Sequence, residues 1–343
     1  MIEFGSDFHT IDNPSFLNGE MGTFQSRGWL MADGRQCLVS LIRHEGWKRL
    51  WVPEYFCYDV LAFVKETTQI QLMFYGDYPL HPNDQEDVMG LPYREGDALL
   101  RMNYWGMRGW RSSSEIPVPV VEDHSHDLTG GWATNSNADW CVASLRKSLP
   151  IPDGGGVWSP KSHLLTLTLS DTEGCKSLMA QRWKAMDMKA DYLKGENISK
   201  DQFRRLFVET EGWFEKAEPT SLDARTLDFI SRFDIDAWQS VKRGNWHLLY
   251  SQISNKVQVI LPECITCNMF SLVILTDNLE QRETLRHRLI DHSVYPAILW
   301  QVPTSVSRAV QDVSNRMLSI HCDGRYSEAD IRQLAEIINH SLE

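Results

Sequence analysis

The sequence predicts an α/β protein: a large domain on a mostly parallel sheet over residues 1–240, and a smaller C-terminal α+β domain over 241–343. Three observations lead there. Strand-like and helix-like apolar patterns alternate through the first half. A long helical pattern, Ala237–Ile253, then joins that half to a stretch where short strands are followed by amphipathic helices. The chain has 343 residues, enough for two cores, and its first residues are expected to pack on the small domain.

Each element has its local reason. Arg35–Gly46 reads as a helix because Cys37, Leu38, Leu41 and Ile42 recur at helical spacing. Arg49–Pro53 is a short strand stopped by its proline, and Gln69–Tyr75 alternates as a strand. Ala98–Asn103 reads as a buried strand and Val118–Glu122 as the next, despite Pro117 and Pro119; Trp140–Ser144 follows, and Leu164–Leu169 alternates again. Asp171 to Gly195 is helical. Between Asn197 and Asp236, polar helices with mixed charge read as solvated faces without a catalytic cluster. The C-terminal part offers strands at Val257–Leu261, Met269–Leu275 and Met317–Ile320. Its helices are Leu279–Asp291 and Glu328–Leu342, the last opened by Ser327 as N-cap.

Composition excludes several functions. A hydrophobic content of 42% with 23% charged residues is that of a folded globular chain, not a disordered one. A net charge of −12 without a basic run leaves no electrostatic footprint for nucleic acid. The N-terminus lacks a basic and apolar leader, and the apolar runs are strand-sized, so neither export nor membrane insertion is expected. Seven cysteines in such a chain suggest reduced thiols in the cytoplasm. Cys264 and Cys267 form a lone C-x-x-C without a second ligand pair, and a buried thiol pair is expected there.

The chemistry is concentrated in one order of residues. The run Val118–Asp123 ends on an acid, Ser144-Leu145-Arg146-Lys147 follows, and Asp153-Gly154-Gly155-Gly156 closes the segment. An apolar strand ending in Asp, a Ser-x-x-Lys and a glycine cluster are the parts of a pyridoxal 5′-phosphate (PLP) site. In this order the chain resembles fold-type I PLP-dependent enzymes, in particular the DegT/DnrJ/EryC1 sugar aminotransferases, as a divergent member.

The resemblance implies an aminotransferase-like large domain and a set of roles. Lys147 forms the Schiff base with the cofactor and then acts as general base, Asp123 holds the pyridine nitrogen protonated, and His126 contacts the ring hydroxyl region. Phe56, with Tyr55 in reserve, stacks on the ring, while Ser144 and the helix start at Gly34 and Arg35 meet the phosphate. Arg35 stands where the family has Thr, the Ser before the Lys is differently spaced, and the Gly-x-Asn-x-Arg segment is absent after Leu169. The missing segment weakens nucleotide-sugar specificity and leaves Arg35, or another nearby donor, to compensate in the phosphate cup. Asn103–Gly106 and Tyr295–Trp300 are expected on the substrate side. Arg325 is either a carboxylate ligand or half of a surface salt bridge. The implied partners are a small-molecule amino acceptor, an amino donor and a second copy of the chain in a homodimer. Dehydration or elimination on the same scaffold, and a non-catalytic relative, are the alternatives. No metal is expected, although Asp123, His124 and His126 form the pattern a zinc site would use.

Overall fold

The structure, a computed structural model, describes residues 2–17, 19, 28–82, 84–170, 173–214 and 218–343. Met1 and the first two residues of the helix expected from Asp171 lie outside them.

In chain order, β1 (Phe4–Gly5) and β2 (Gly28–Met31) precede α1 (Gly34–Glu45) and β3 (Arg49–Pro53). Then come α2 (Tyr58–Thr68), β4 (Gln71–Tyr75), α3 (Asp84–Met89), β5 (Asp97–Met102) and β6 (Val120–Asp123). A short α4 (Gly131–Asn135) leads to β7 (Trp140–Ser144), the single turn α5 (Leu145–Ser148) and β8 (Gly155–Trp158). Helices α6 (Glu173–Lys194), α7 (Lys200–Phe214), α8 (Ala224–Arg232) and α9 (Ile235–Tyr250) follow. The C-terminal part is β9 (Gln258–Val259), β10 (Leu272–Leu275), α10 (Leu279–Asp291), β11 (Val294–Tyr295), α11 (Arg308–Arg316), β12 (Met317–Ile320) and α12 (Glu328–Ser341).

Seven strands form one sheet in the order β2-β8-β7-β6-β5-β3-β4. Strands β3 to β7 all run parallel, whereas β8 is antiparallel to both β7 and β2. All six residues of β5 are buried, as a parallel sheet covered on both faces requires. Pro117 and Pro119 fall just before β6, where a missing N–H breaks no ladder bond. Helix α1 buries Cys37, Leu38, Leu41 and Ile42. It starts on Asp33, whose carboxylate accepts the Arg35 N–H, and stops on Gly46 at φ 67°.

A three-stranded sheet, β12-β10-β9, forms the C-terminal core with α10 and α12. Ser327 and Asp330 close a reciprocal capping box on α12. The N-terminal strand β1 pairs parallel with β11, and the Gly5 N–H donates to the Tyr326 hydroxyl at 2.8 Å. No helix among the described residues is long and apolar enough to cross a membrane.

The structure departs from the sequence reading or adds to it at three points. Leu164–Leu169 is extended but unpaired; Leu165, Leu167 and Leu169 pack inward on the core while Leu164 is exposed, so the alternation is real but no strand lies alongside. Gly155 and Gly156 of the glycine cluster open β8. A side chain at Gly155 would meet Asp33 backbone atoms at 2.4 Å, so glycine here answers a close approach, not a turn. Helix α11 has no counterpart in the sequence reading.

Candidate functional site

The parallel strands deliver their carboxyl ends to one edge of the sheet, the edge at which α/β sheets bind ligands. Asp123 ends β6, Ser144 ends β7, and Asn103 follows β5 directly. The turns are tied to one another. Asp123 Oδ1 accepts from Ser125 N–H at 2.8 Å, Ser125 Oγ accepts from Ser144 N–H at 2.8 Å, and Ser148 Oγ donates to the Ser125 carbonyl at 3.0 Å. Ser125, which nothing in the sequence singled out, thus fixes the turn bearing Asp123 against the turn bearing Lys147.

Lys147 lies half-buried on α5, its Nζ 5.2 Å from the ring centroid of Trp300. Among the described residues it has no carboxylate within ion-pair distance. The same indole stacks on His126, with centroids 5.3 Å apart and planes 21° from parallel, and Phe270 lies 4.7 Å away on the imidazole. His126 is fully buried. Burial, and after it the Lys147 charge, pushes its pKa well below the usual histidine value, so the ring is neutral. Its Nδ1 accepts the Trp105 N–H at 3.1 Å, which places the ring proton on Nε2. Nε2 has no hydrogen-bond partner among the described residues.

Asn103 shows the same condition more strongly. The residue is wholly buried, and among the described residues neither its amide oxygen nor its amide nitrogen has a partner. Each such group costs on the order of 1–3 kcal/mol unless something hydrogen-bonds to it. Three unpartnered polar atoms at the ends of adjacent strands, close to Asp123, are what a polar ring-bearing ligand would satisfy. Phe56 is buried beside them, its ring 5.7 Å from Trp300, and Tyr55 touches Trp300, Tyr104 and Trp105. A cavity of about 220 Å³ opens past Lys147, walled by Arg146, Arg182, Phe270 and His321.

Gly34, Arg35 and Ser144 meet at the other end. A Cβ on Gly34 would lie 2.9 Å from both Cα and Cβ of Ser144, so the start of α1 rests directly on the lysine turn. The Arg35 guanidinium does not point to the strand ends; it reaches Glu211 on α7 at 2.9 Å. Arg146 binds Glu211 through two nitrogens at 2.7 and 2.8 Å, and Asp33 at 3.1 Å. Arg182 adds a contact to Glu211 at 3.3 Å. Burial pushes the Glu211 carboxyl up, but Arg146, with Arg182 and Arg35, outweighs it and holds the pKa down at about 2. The stretch read as solvated helix therefore carries the anchor of an ionic cluster next to the site. Glu211 sits more than sixty residues from Lys147, on a helix whose polar pattern gives no sign of the partner.

The zinc-like pattern is taken apart by strand alternation. Asp123 faces one side, whereas His124 turns to the other and bonds Glu122 at 3.1 Å, with Cys141 close by. Glu122 also accepts from Ser113 at 3.0 Å, so that carboxylate is already satisfied by protein donors. Arg325 forms a two-point ion pair with Asp323 at 2.8 Å, and the pair is buried, not on the surface. Cys264 and Cys267 bring their sulfurs to 2.9 Å as free thiols, with Cys267 buried and Cys264 half-buried.

No family model and no curated protein matches the chain by sequence. Solved structures do match along its length. Helicobacter pylori PseC, an aminotransferase involved in pseudoaminic acid biosynthesis, superposes with a TM-score of 0.67 at 11% identity over 99% of both chains. DesI, solved with its TDP-sugar product, gives 0.64 at 13% identity over 98% of this chain and 86% of its own. A DegT DnrJ EryC1 StrS aminotransferase from Brucella abortus gives 0.59 at 14% identity over 91% and 85%. At such identities the likeness is one of fold, and the fold of this chain is that of the DegT/DnrJ/EryC1-type aminotransferases, fold-type I.

Proposed function

We propose that the chain is a PLP-dependent aminotransferase acting on a keto or aldehyde substrate of the sugar class. The carrying observation is the group of buried polar atoms of Asn103 and His126 near Asp123 and the amine of Lys147 over the same Trp300 ring, all without a protein partner or carboxylate among the described residues. These residues fit the ring end of the cofactor. Sugar aminotransferases among the structures of similar fold support the substrate class. A Streptococcus pneumoniae protein described as a candidate sugar aminotransferase, solved in PLP and PMP forms, supports the cofactor.

When bound, the cofactor supplies an aldehyde that carries the amino group and a ring that accepts electrons. Asp123 would hold a proton on the ring nitrogen, and His126 would offer its Nε2–H to the cofactor. Lys147 would be the attachment point and would move the proton at the substrate carbon. Trp300 and Phe270 exclude water from the imidazole and keep it neutral. We further propose a homodimer in the cytoplasm, with an amino donor and an amino acceptor as the small-molecule partners; sedimentation as a monomer at micromolar concentration would remove the dimer.

The test is optical. PLP added to the purified protein should produce a visible band that L-glutamate converts to a near-ultraviolet one. Borohydride should fix the cofactor covalently in the wild type and not in Lys147→Ala. Attachment persisting in that variant would place the site at another lysine.

A further inference from the structure

A phosphate held at a helix N-terminus uses the first-turn N–H groups, which lack partners inside the helix, and the positive end of the helix dipole. In α1, the helix that begins against the lysine turn, one of these groups already serves a carboxylate. Asp33, only 2% exposed, accepts the Arg35 N–H at 2.7 Å. Its other oxygen is 3.1 Å from Arg146, and Arg35 Nε lies 3.6 Å from the first. The two arginines are in turn bound by Glu211. Both arginines at the helix start are therefore already bound to acids of the chain itself.

The backbone leaves little room to rearrange. Gly34 rests on Ser144, Gly155 lies under Asp33, and Asp33 bridges to Gly154. An incoming phosphate would bring its charge onto a buried carboxylate that cannot easily withdraw.

We propose that Asp33 is an internal anion seated where the cofactor's phosphate would bind, so that the chain holds its cofactor by ring and lysine and gains little from the phosphate. The ligand class follows: pyridoxal and pyridoxamine bind about as well as their phosphates, and the cofactor exchanges readily. This rests on the reading of the site as a PLP site, with Asp33 as a residue that sets cofactor preference.

The experiment compares dissociation constants of PLP and pyridoxal, by spectral titration, for the wild type, Asp33→Asn and Asp33→Ser. The asparagine keeps an acceptor for the Arg35 N–H and removes the charge. In the wild type the two constants should agree within about tenfold, or 1.4 kcal/mol. Asp33→Asn should tighten PLP by at least about tenfold, leave pyridoxal unchanged, and make PLP binding sensitive to inorganic phosphate. A wild type that prefers PLP by about a hundredfold or more overturns the proposal, as does a variant that tightens neither ligand or both alike. Should both variants fail to fold, the wild type decides alone: millimolar inorganic phosphate should leave its melting temperature unmoved, and a clear rise refutes the internal anion. Borohydride attachment at Lys147 with a strong phosphate preference defeats this inference and leaves the functional reading standing. Failure of both ligands to bind any of the three proteins defeats both.

Discussion

Replacing Glu211 by glutamine tests whether the arginine cluster is held together by that one carboxylate. Three guanidiniums, Arg35, Arg146 and Arg182, converge on it, with Asp33 as a second acid joined to Arg35 and Arg146. The amide can still accept on one oxygen, but its NH2 turns donors toward Arg146 and Arg182. Breaking a fully buried pair costs about 3–5 kcal/mol. Glu211 is 36% exposed, so solvent screening roughly halves this, to about 2 kcal/mol. With an unfolding entropy of about 0.7 kcal/mol/K for a chain of this length, the melting temperature should fall by about 3 °C. The pH dependence is the sharper readout. The carboxyl is held at about 2 in the folded protein against an ordinary value of 4.5, so its contribution is complete above that ordinary value and fades as pH falls toward 2. Melting curves of wild type and Glu211→Gln should therefore differ at neutral pH and converge as the solution is acidified through this window. A difference that persists unchanged at the acid end, or none at neutral pH, would refute the reasoning.

Asn103→Ala should separate stability from binding. It removes two buried unpartnered atoms, so the unliganded protein should melt at the same temperature or higher, while PLP affinity measured by titration falls. Asp123→Asn should keep the cofactor bound and lower turnover with an amino donor by at least about tenfold, or 1.4 kcal/mol, because the amide cannot keep the ring nitrogen protonated. Gly34→Ala should destabilise the protein by roughly 1–3 kcal/mol in denaturant unfolding, since the new methyl meets Ser144 backbone at 2.9 Å.

Where an element carries its own signal, the sequence shows it. Leu279–Asp291, Met317–Ile320 and the capped helix after Ser327 are legible from periodicity and one hydroxyl. Asp123 and Lys147 are legible because strand ends punctuate the pattern and an acid or amine there is conspicuous. What stays hidden depends on a partner distant in sequence. Gly155 is strand because β2 and β7 pair with it and glycine because Asp33 crowds it, and Leu164–Leu169 stays unpaired because no strand comes alongside. Asp33 itself looks like an ordinary helix cap. Only the arrival of Arg146 from α5 and Glu211 from α7 turns it into part of the site. Asn103 and Trp300 lie in segments the sequence marked for the substrate side, but their burial and missing partners are properties of the packing.

The ring stack at the centre of the molecule has a mechanical meaning. His126 belongs to the turn after β6, whereas Phe270 and Trp300 come from the C-terminal part, and the imidazole is pressed between them like a tongue in a vice. The two halves of the chain cannot part here without releasing it, so the site exists only while they are closed. Trp300 is at once a jaw of the vice and the ring over which Lys147 sits, so the lysine turn keeps its aromatic neighbour only while the vice is shut.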